Sequence, residues 1–92
     1  MIVRYKQRAL ADLERIHNYI ARDNPVAAKN VVQRIVRAIG RLEILPLSGR
    51  PGVVPGTRIL AVPGLPYVVI HRAREDAVDI IAVIHSARRR RS

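Results

Sequence analysis

Between residues 57 and 88 the chain carries three short apolar runs, residues 57–62, 67–72 and 78–85. They are separated by Pro63-Gly64-Leu65-Pro66 and by Arg74-Glu75-Asp76. Valine and isoleucine dominate all three, and β-branched side chains fit a pleated, half-buried surface better than a helix. Each run is strand-sized and bounded by breakers, so the stretch reads as a three-strand antiparallel meander. The last run leads into Ile84-His85-Ser86-Ala87-Arg88, so an imidazole and a guanidinium leave the strand together. The expectation is that they meet Arg58 and His71 on neighbouring strands, and that any chemistry sits there.

The preceding half has a different period. Ile2-Val3-Arg4-Tyr5 alternates briefly and suggests an edge strand joining the meander. From Gln7, Leu10, Leu13, Ile16 (or His17) and Ile20 recur at helical spacing, which predicts an amphipathic helix of about four turns ending at Arg22-Asp23-Asn24-Pro25. Asn24 caps a second helix and Pro25 fits its first turn, where no amide donor is needed. That helix is predicted over residues 25–45, with Ala28, Val31, Val32, Ile35, Ala38 (or Ile39), Leu42 and Leu45 on one stripe. Gly40 within it suggests close approach to another backbone. So short a linker implies an antiparallel hairpin whose shared apolar face lies on the sheet. Residues 46–56 hold three prolines and three glycines and read as a structured loop, with a tight turn laying Arg50 across the fold. The fold class is therefore α+β: an N-terminal edge strand, a two-helix hairpin and a small antiparallel sheet. Residues 1–88 form a single domain and residues 89–92 a basic tail, expected to fray unless a partner neutralises it.

Composition narrows the function. Seventeen Lys and Arg against 7 Asp and Glu give +10, and all but Lys6 and Lys29 of those cations are arginine. Arginine's planar fork matches phosphate and carboxylate, so a polyanionic partner is implied, although an arginine-rich genome puts the same residue on any solvated face. No cysteine is present, which removes disulfides, Cys-based metal sites and thiol nucleophiles. No apolar run reaches the roughly 18 residues of a membrane span and no signal-peptide core is present, so a cytoplasmic protein is expected. Three tyrosines are too few aromatics for a base-stacking platform.

Taken in order, several short motifs carry a resemblance: Ala9-Leu10-Ala11-Asp12-Leu13, Tyr19-Ile20-Ala21, Asn24-Pro25-Val26-Ala27-Ala28, Leu45-Pro46 with Gly49-Arg50-Pro51-Gly52, Thr57-Arg58-Ile59-Leu60, Leu65-Pro66-Tyr67-Val68-Val69 and Ile84-His85-Ser86-Ala87-Arg88. Over about its whole length the chain resembles the RelE/ParE superfamily of toxins from type II toxin–antitoxin modules, on the ParE branch associated with plasmid stabilisation. RelE-like members are ribosome-dependent endoribonucleases that cut mRNA in the A site. ParE-like members poison DNA gyrase and are neutralised by a ParD-like antitoxin.

The resemblance also sets what a nuclease should carry here. Arg58 stands where a family lysine would, and Arg88 lies near the family's arginine after the last strand. Other positions depart: Val68 replaces an arginine facing the substrate, Leu60 replaces a lysine, and no tyrosine follows Arg88. Loss of one well-placed transition-state contact commonly costs about 10²–10³ in rate, so efficient RNA cleavage is not expected. If the chain were a nuclease, Arg58, His85 and Arg88 would carry it.

The simpler readings compete at each site. His85 is an acid/base candidate or a strand-end histidine bonded to a backbone carbonyl, since no carboxylate is placed to orient it. His71 reads as mid-strand structure and His17 as a helix flank. Asp12 and Glu14 pair with helix arginines, and Asp79 faces solvent or an arginine. No histidine pair has metal-ligand spacing with a carboxylate, so neither metal nor cofactor is expected. The candidate antitoxin- or target-binding residues are Arg50, Arg58, His71, Arg72, His85 and Arg88. An apolar groove left by so small a sheet and hairpin would take an acidic antitoxin segment by helix-in-groove or strand-addition contacts, in a hetero-oligomer. The expected function is thus a gyrase-inhibiting toxin. A ribosome-dependent mRNA endoribonuclease is the alternative, and a bare DNA-binding module a third class that no recognised motif supports.

Overall fold

The computed structural model describes residues 1–89. Strand β1 (Ile2–Tyr5) leads into helix α1 (Gln7–Ala21) and helix α2 (Pro25–Gly40), the latter continued by a 3₁₀ turn (Arg41–Glu43). There follow β2 (Arg50–Pro51), β3 (Arg58–Ala61), β4 (Tyr67–Ala73), β5 (Ala77–His85) and a short terminal turn of helix, α3 (Ser86–Arg89). One five-stranded sheet has the order β1-β5-β4-β3-β2. The meander β3–β4–β5 is antiparallel, with Arg58 opposite His71, Arg72 opposite Asp79, and Tyr67 opposite His85. The first strand does join it, but in parallel with β5, placing Ile2 beside Ala77 and Tyr5 beside Ile80. The sheet is therefore mixed: the chain leaves the helices into β2, which runs opposite to β1, and the three reversals through β3 and β4 to β5 bring the last strand alongside the first in the same direction.

The core lies between the helix hairpin and one face of the sheet. Ala9 and Leu13 of α1 and Ile35, Ala38 and Ile39 of α2 meet Val69, Val78, Ile80 and Val83, with Leu42 and Val62 closing the end. Each of the valine, leucine and isoleucine side chains among them contributes about 1.5–3 kcal/mol of burial. Asn24 caps α2 as expected, its Oδ1 accepting the Ala27 N–H at 3.0 Å.

Four local expectations are corrected. The buried stripe of α1 runs through Ala9, Asp12 and Leu13, and Leu10 is 52% exposed. The helix is turned toward Asp12 because that carboxylate is drawn into the sheet edge. Helix α2 ends at Gly40 and not near Leu45, which is exposed. A side chain at Gly40 would touch nothing, so this glycine weakens the helix where it tightens into a 3₁₀ turn and marks no close approach. Residues 46–56 are more than a loop: Arg50 and Pro51 pair with Ile59 and Arg58 as an edge strand, where a missing amide donor costs nothing. Gly49 makes this approach, at φ 92°, and a side chain there would collide with the Ile59 carbonyl.

Candidate functional site

On α1, Arg8, Asp12, Arg15 and Tyr19 follow one another at intervals of one helical turn and share a face. That face looks onto the start of β4 and the end of β5. Together with Ile16, Tyr67, Val83, Ile84 and His85 it encloses a groove of about 540 Å³. Register explains why a groove exists here. Strand β1 stops pairing at Ile80, where the Lys6 N–H donates to the Ile80 carbonyl at 2.9 Å, so among the described residues the rest of this β5 edge lacks a partner strand. The edge is finished by a side chain: the Val83 N–H donates to Asp12 Oδ2 at 2.9 Å. Asp12 is only 3% exposed, and Arg8 (3.3 Å) and Arg15 also bind its carboxylate. Both guanidiniums stay mostly exposed, at 63% and 60% of their side chains, so two cations against one buried anion leave the rim positive.

The aromatic side of the groove is Tyr67 against His85, edge to face with ring centres 5.6 Å apart. Burial, reinforced by Tyr19, pushes the Tyr67 hydroxyl above its ordinary value of 10, so it is a neutral phenol near neutral pH. His85 is bonded to backbone, but to an amide where a carbonyl was expected. The Ala87 N–H donates to Nδ1 at 3.1 Å, which puts the proton of the neutral ring on Nε2.

The other sequence candidates are elsewhere. Antiparallel pairing sets His85 against Tyr67, the first residue of β4, and Arg58 against His71, four residues further along. That is about 13 Å of strand, so the expected meeting of His85 with Arg58 and His71 does not occur. The second group clasps the loop before β3. His71 is fully enclosed, and its Nε2 lies 3.1 Å from the Ser48 carbonyl. Arg58 donates to the Gly49 carbonyl at 3.1 Å and Arg72 to that of Pro55 at 3.3 Å. Among the described residues His71 Nδ1 and Arg58 Nε are buried without a partner. Arg50 is exposed on the outer strand. The side chain of Arg88 and residues 90–92 of the tail lie outside the described residues.

Asp79 is buried rather than solvent-facing, held by Arg74 at 2.5 Å and Arg4 at 2.9 Å, and these bonds lower its pKa. Among the described residues no group of three or more His, Cys, Asp or Glu could hold a metal, and no helix is long and apolar enough to cross a membrane. The groove residues missed from sequence are Arg8, Arg15, Tyr19 and Tyr67. The signal for three of them was there: one acid flanked by two arginines on a single helix face, with a tyrosine one turn on.

Residues 3–90 match the family profile described as ParE toxin of type II toxin-antitoxin system, parDE. The chain is 42% identical over 84 residues to "Putative toxin Y4kP" of Sinorhizobium fredii, an alignment covering 91% of this chain and 86% of that protein. It is 35% identical over 81 residues to "Toxin RelE2" of Caulobacter vibrioides, covering 88% of this chain and 90% of the other. A solved structure, "Chromosomal ParDE TA system from P. aeruginosa", superposes with a TM-score of 0.84 at 28% identity, over 92% of this chain and 95% of that one. A two-helix hairpin on a mixed five-stranded sheet, matched end to end in sequence and in shape, makes this chain a member of the ParE toxin family of type II toxin–antitoxin systems.

Proposed function

We propose that this toxin inhibits DNA gyrase by binding it, without cutting nucleic acid itself, and that a ParD-like antitoxin silences it by occupying the groove between α1 and the sheet. The observation that carries the non-nuclease half is separation. Cleavage at a ribose 2′-hydroxyl needs a base, cations and an acid gathered around one phosphate. Arg58 and His85 stand on different strands at opposite ends of β4, and Arg58 is already committed to the Gly49 carbonyl. Val68 is buried, and Leu60 packs on the core in place of a cation.

The antitoxin half rests on the groove's chemistry. Exposed guanidiniums of Arg8 and Arg15 beside Ile16, Tyr19 and Tyr67 suit a segment carrying a carboxylate next to an apolar side chain. Similarity to a protein solved as part of a ParDE system supports such a partner and a hetero-oligomer.

In a purified supercoiling assay the chain is expected to inhibit gyrase at micromolar concentration, and stoichiometric antitoxin to relieve the inhibition. A toxin that binds its antitoxin and leaves gyrase untouched would overturn the target. The second reading, a RelE-like mRNA endoribonuclease, is favoured by the likeness to "Toxin RelE2" and by the imidazole–phenol pair in the groove. Labelled mRNA on translating ribosomes separates the two: A-site cuts abolished by Arg88→Ala would replace the gyrase reading.

A further inference from the structure

The seven acidic residues are unevenly placed: none lies between Pro25 and Leu42, although that segment carries Lys29, Arg34, Arg37 and Arg41. The last three recur at three- and four-residue intervals and fall on one side of α2 and the 3₁₀ turn that continues it, with Asn30 one turn earlier on the same line. All four are exposed, and from Asn30 to Arg41 they span about 16 Å of helix. Arg34 is fixed in place, its Nη2 donating to the Pro63 carbonyl at 2.8 Å. Arg37 and Arg41 make no ion pair and no side-chain hydrogen bond among the described residues. The three arginines frame a cleft of about 150 Å³ against Val62 and Pro63, roomy enough for a phosphate group.

A genome rich in arginine explains how many there are. It does not explain a helix face with no counter-charge beside an α1 where Arg8 and Arg15 both bind Asp12. We infer that the face of α2 bearing Arg34, Arg37 and Arg41 is a contact site for the phosphate backbone of duplex DNA. No aromatic side chain lies on this face, which removes the stacking on which single-strand binders depend. The donors stand on a convex helix, which fits between the phosphate walls of a B-form major groove, whereas the A-form groove of RNA is too narrow to admit one. Binding of this kind positions a protein on DNA without reading sequence.

The test is anisotropy of a short labelled DNA duplex titrated with the full chain between about 50 and 200 mM salt. Replacing Arg37 and Arg41 together by Gln should flatten the slope of log affinity against log salt by about 1.8, while the thermal midpoint stays put. Lysine at both positions should keep the slope, and the double substitution Lys6→Gln with Arg22→Gln, which removes equal charge elsewhere, should leave it close to wild type. The inference is overturned if the wild-type chain does not bind the duplex, if both glutamine pairs flatten the slope equally, or if duplex RNA of the same sequence binds as tightly. It stands apart from the gyrase reading: a chain that binds DNA through α2 and spares gyrase would keep the site and lose the target.

Discussion

His71 is a fully enclosed titratable side chain whose ring meets the Ser48 carbonyl. Enclosure lowers its pKa below the ordinary 6.5, and neighbouring Arg58 lowers it further, against the opposing pull of the Ser48 carbonyl. In the unfolded chain the ring takes up a proton as pH falls through about 6.5, while in the fold it stays neutral to lower pH. Stability is therefore fully present above 6.5 and is lost as pH falls from there toward the lowered native value, by up to about 1.4 kcal/mol per pH unit. Asp79 acts in the same direction at more acid pH, since its depressed pKa costs stability only below its ordinary 3.8. Denaturation at a series of pH values should show a slope opening below 6.5 that is absent in His71→Leu. An unchanged slope would place the titration elsewhere. From sequence this residue reads both as mid-strand structure and as a binding candidate, and its full enclosure fits only the first. Its role as a clasp on the Ser48 carbonyl was invisible there, because 23 positions separate the partners.

At the scale of elements, α1 and β5 are joined through one carboxylate. Asp12 supplies the acceptor that a neighbouring strand would have given Val83, so α1 completes an edge that β1 leaves unfinished. Asp12→Ala leaves the buried Val83 amide without a partner, while the two arginines it frees are mostly exposed, and should cost about 1–3 kcal/mol, read as a fall in thermal midpoint. Asp12→Asn, which keeps an acceptor oxygen, should recover part of that loss. Equal midpoints for the two variants would show that charge, and not the bond to β5, is what matters. The strands of the meander, the hairpin and the Asn24 cap were legible because local pattern specifies them: alternation, helical spacing and a capping side chain all act within a few residues. Three features were not legible, and all depend on distant partners. The two-residue strand at Arg50 exists only by pairing with β3, the rotation of α1 is set by the sheet edge, and the groove is assembled from residues more than 45 positions apart. The spacing of Arg8, Asp12 and Arg15 hinted at the last, yet an acid between two arginines reads equally well as a solvated pair.

Across the whole molecule, charge is sorted by surface. Asp12 of α1 and Asp79 of β5 are held internally by Arg8 and Arg15 and by Arg4 and Arg74, and the net +10 is expressed chiefly by α2, the outer strand and the C-terminal end. Two surfaces of different character follow: a part-apolar groove at one end of the sheet and a purely basic helix face. The topology adds a matter of timing. The strand beside the first four residues is the last one made, so the N-terminus waits on its neighbour across some seventy intervening residues, a closure that is slow to form. A fragment ending at Asp76 has lost the strand that unites β1, α1 and β4, and should show no cooperative melting. A product that stops short of β5 is then unfolded and has no groove, and the fold arrives in a single step once Ala77–His85 is added.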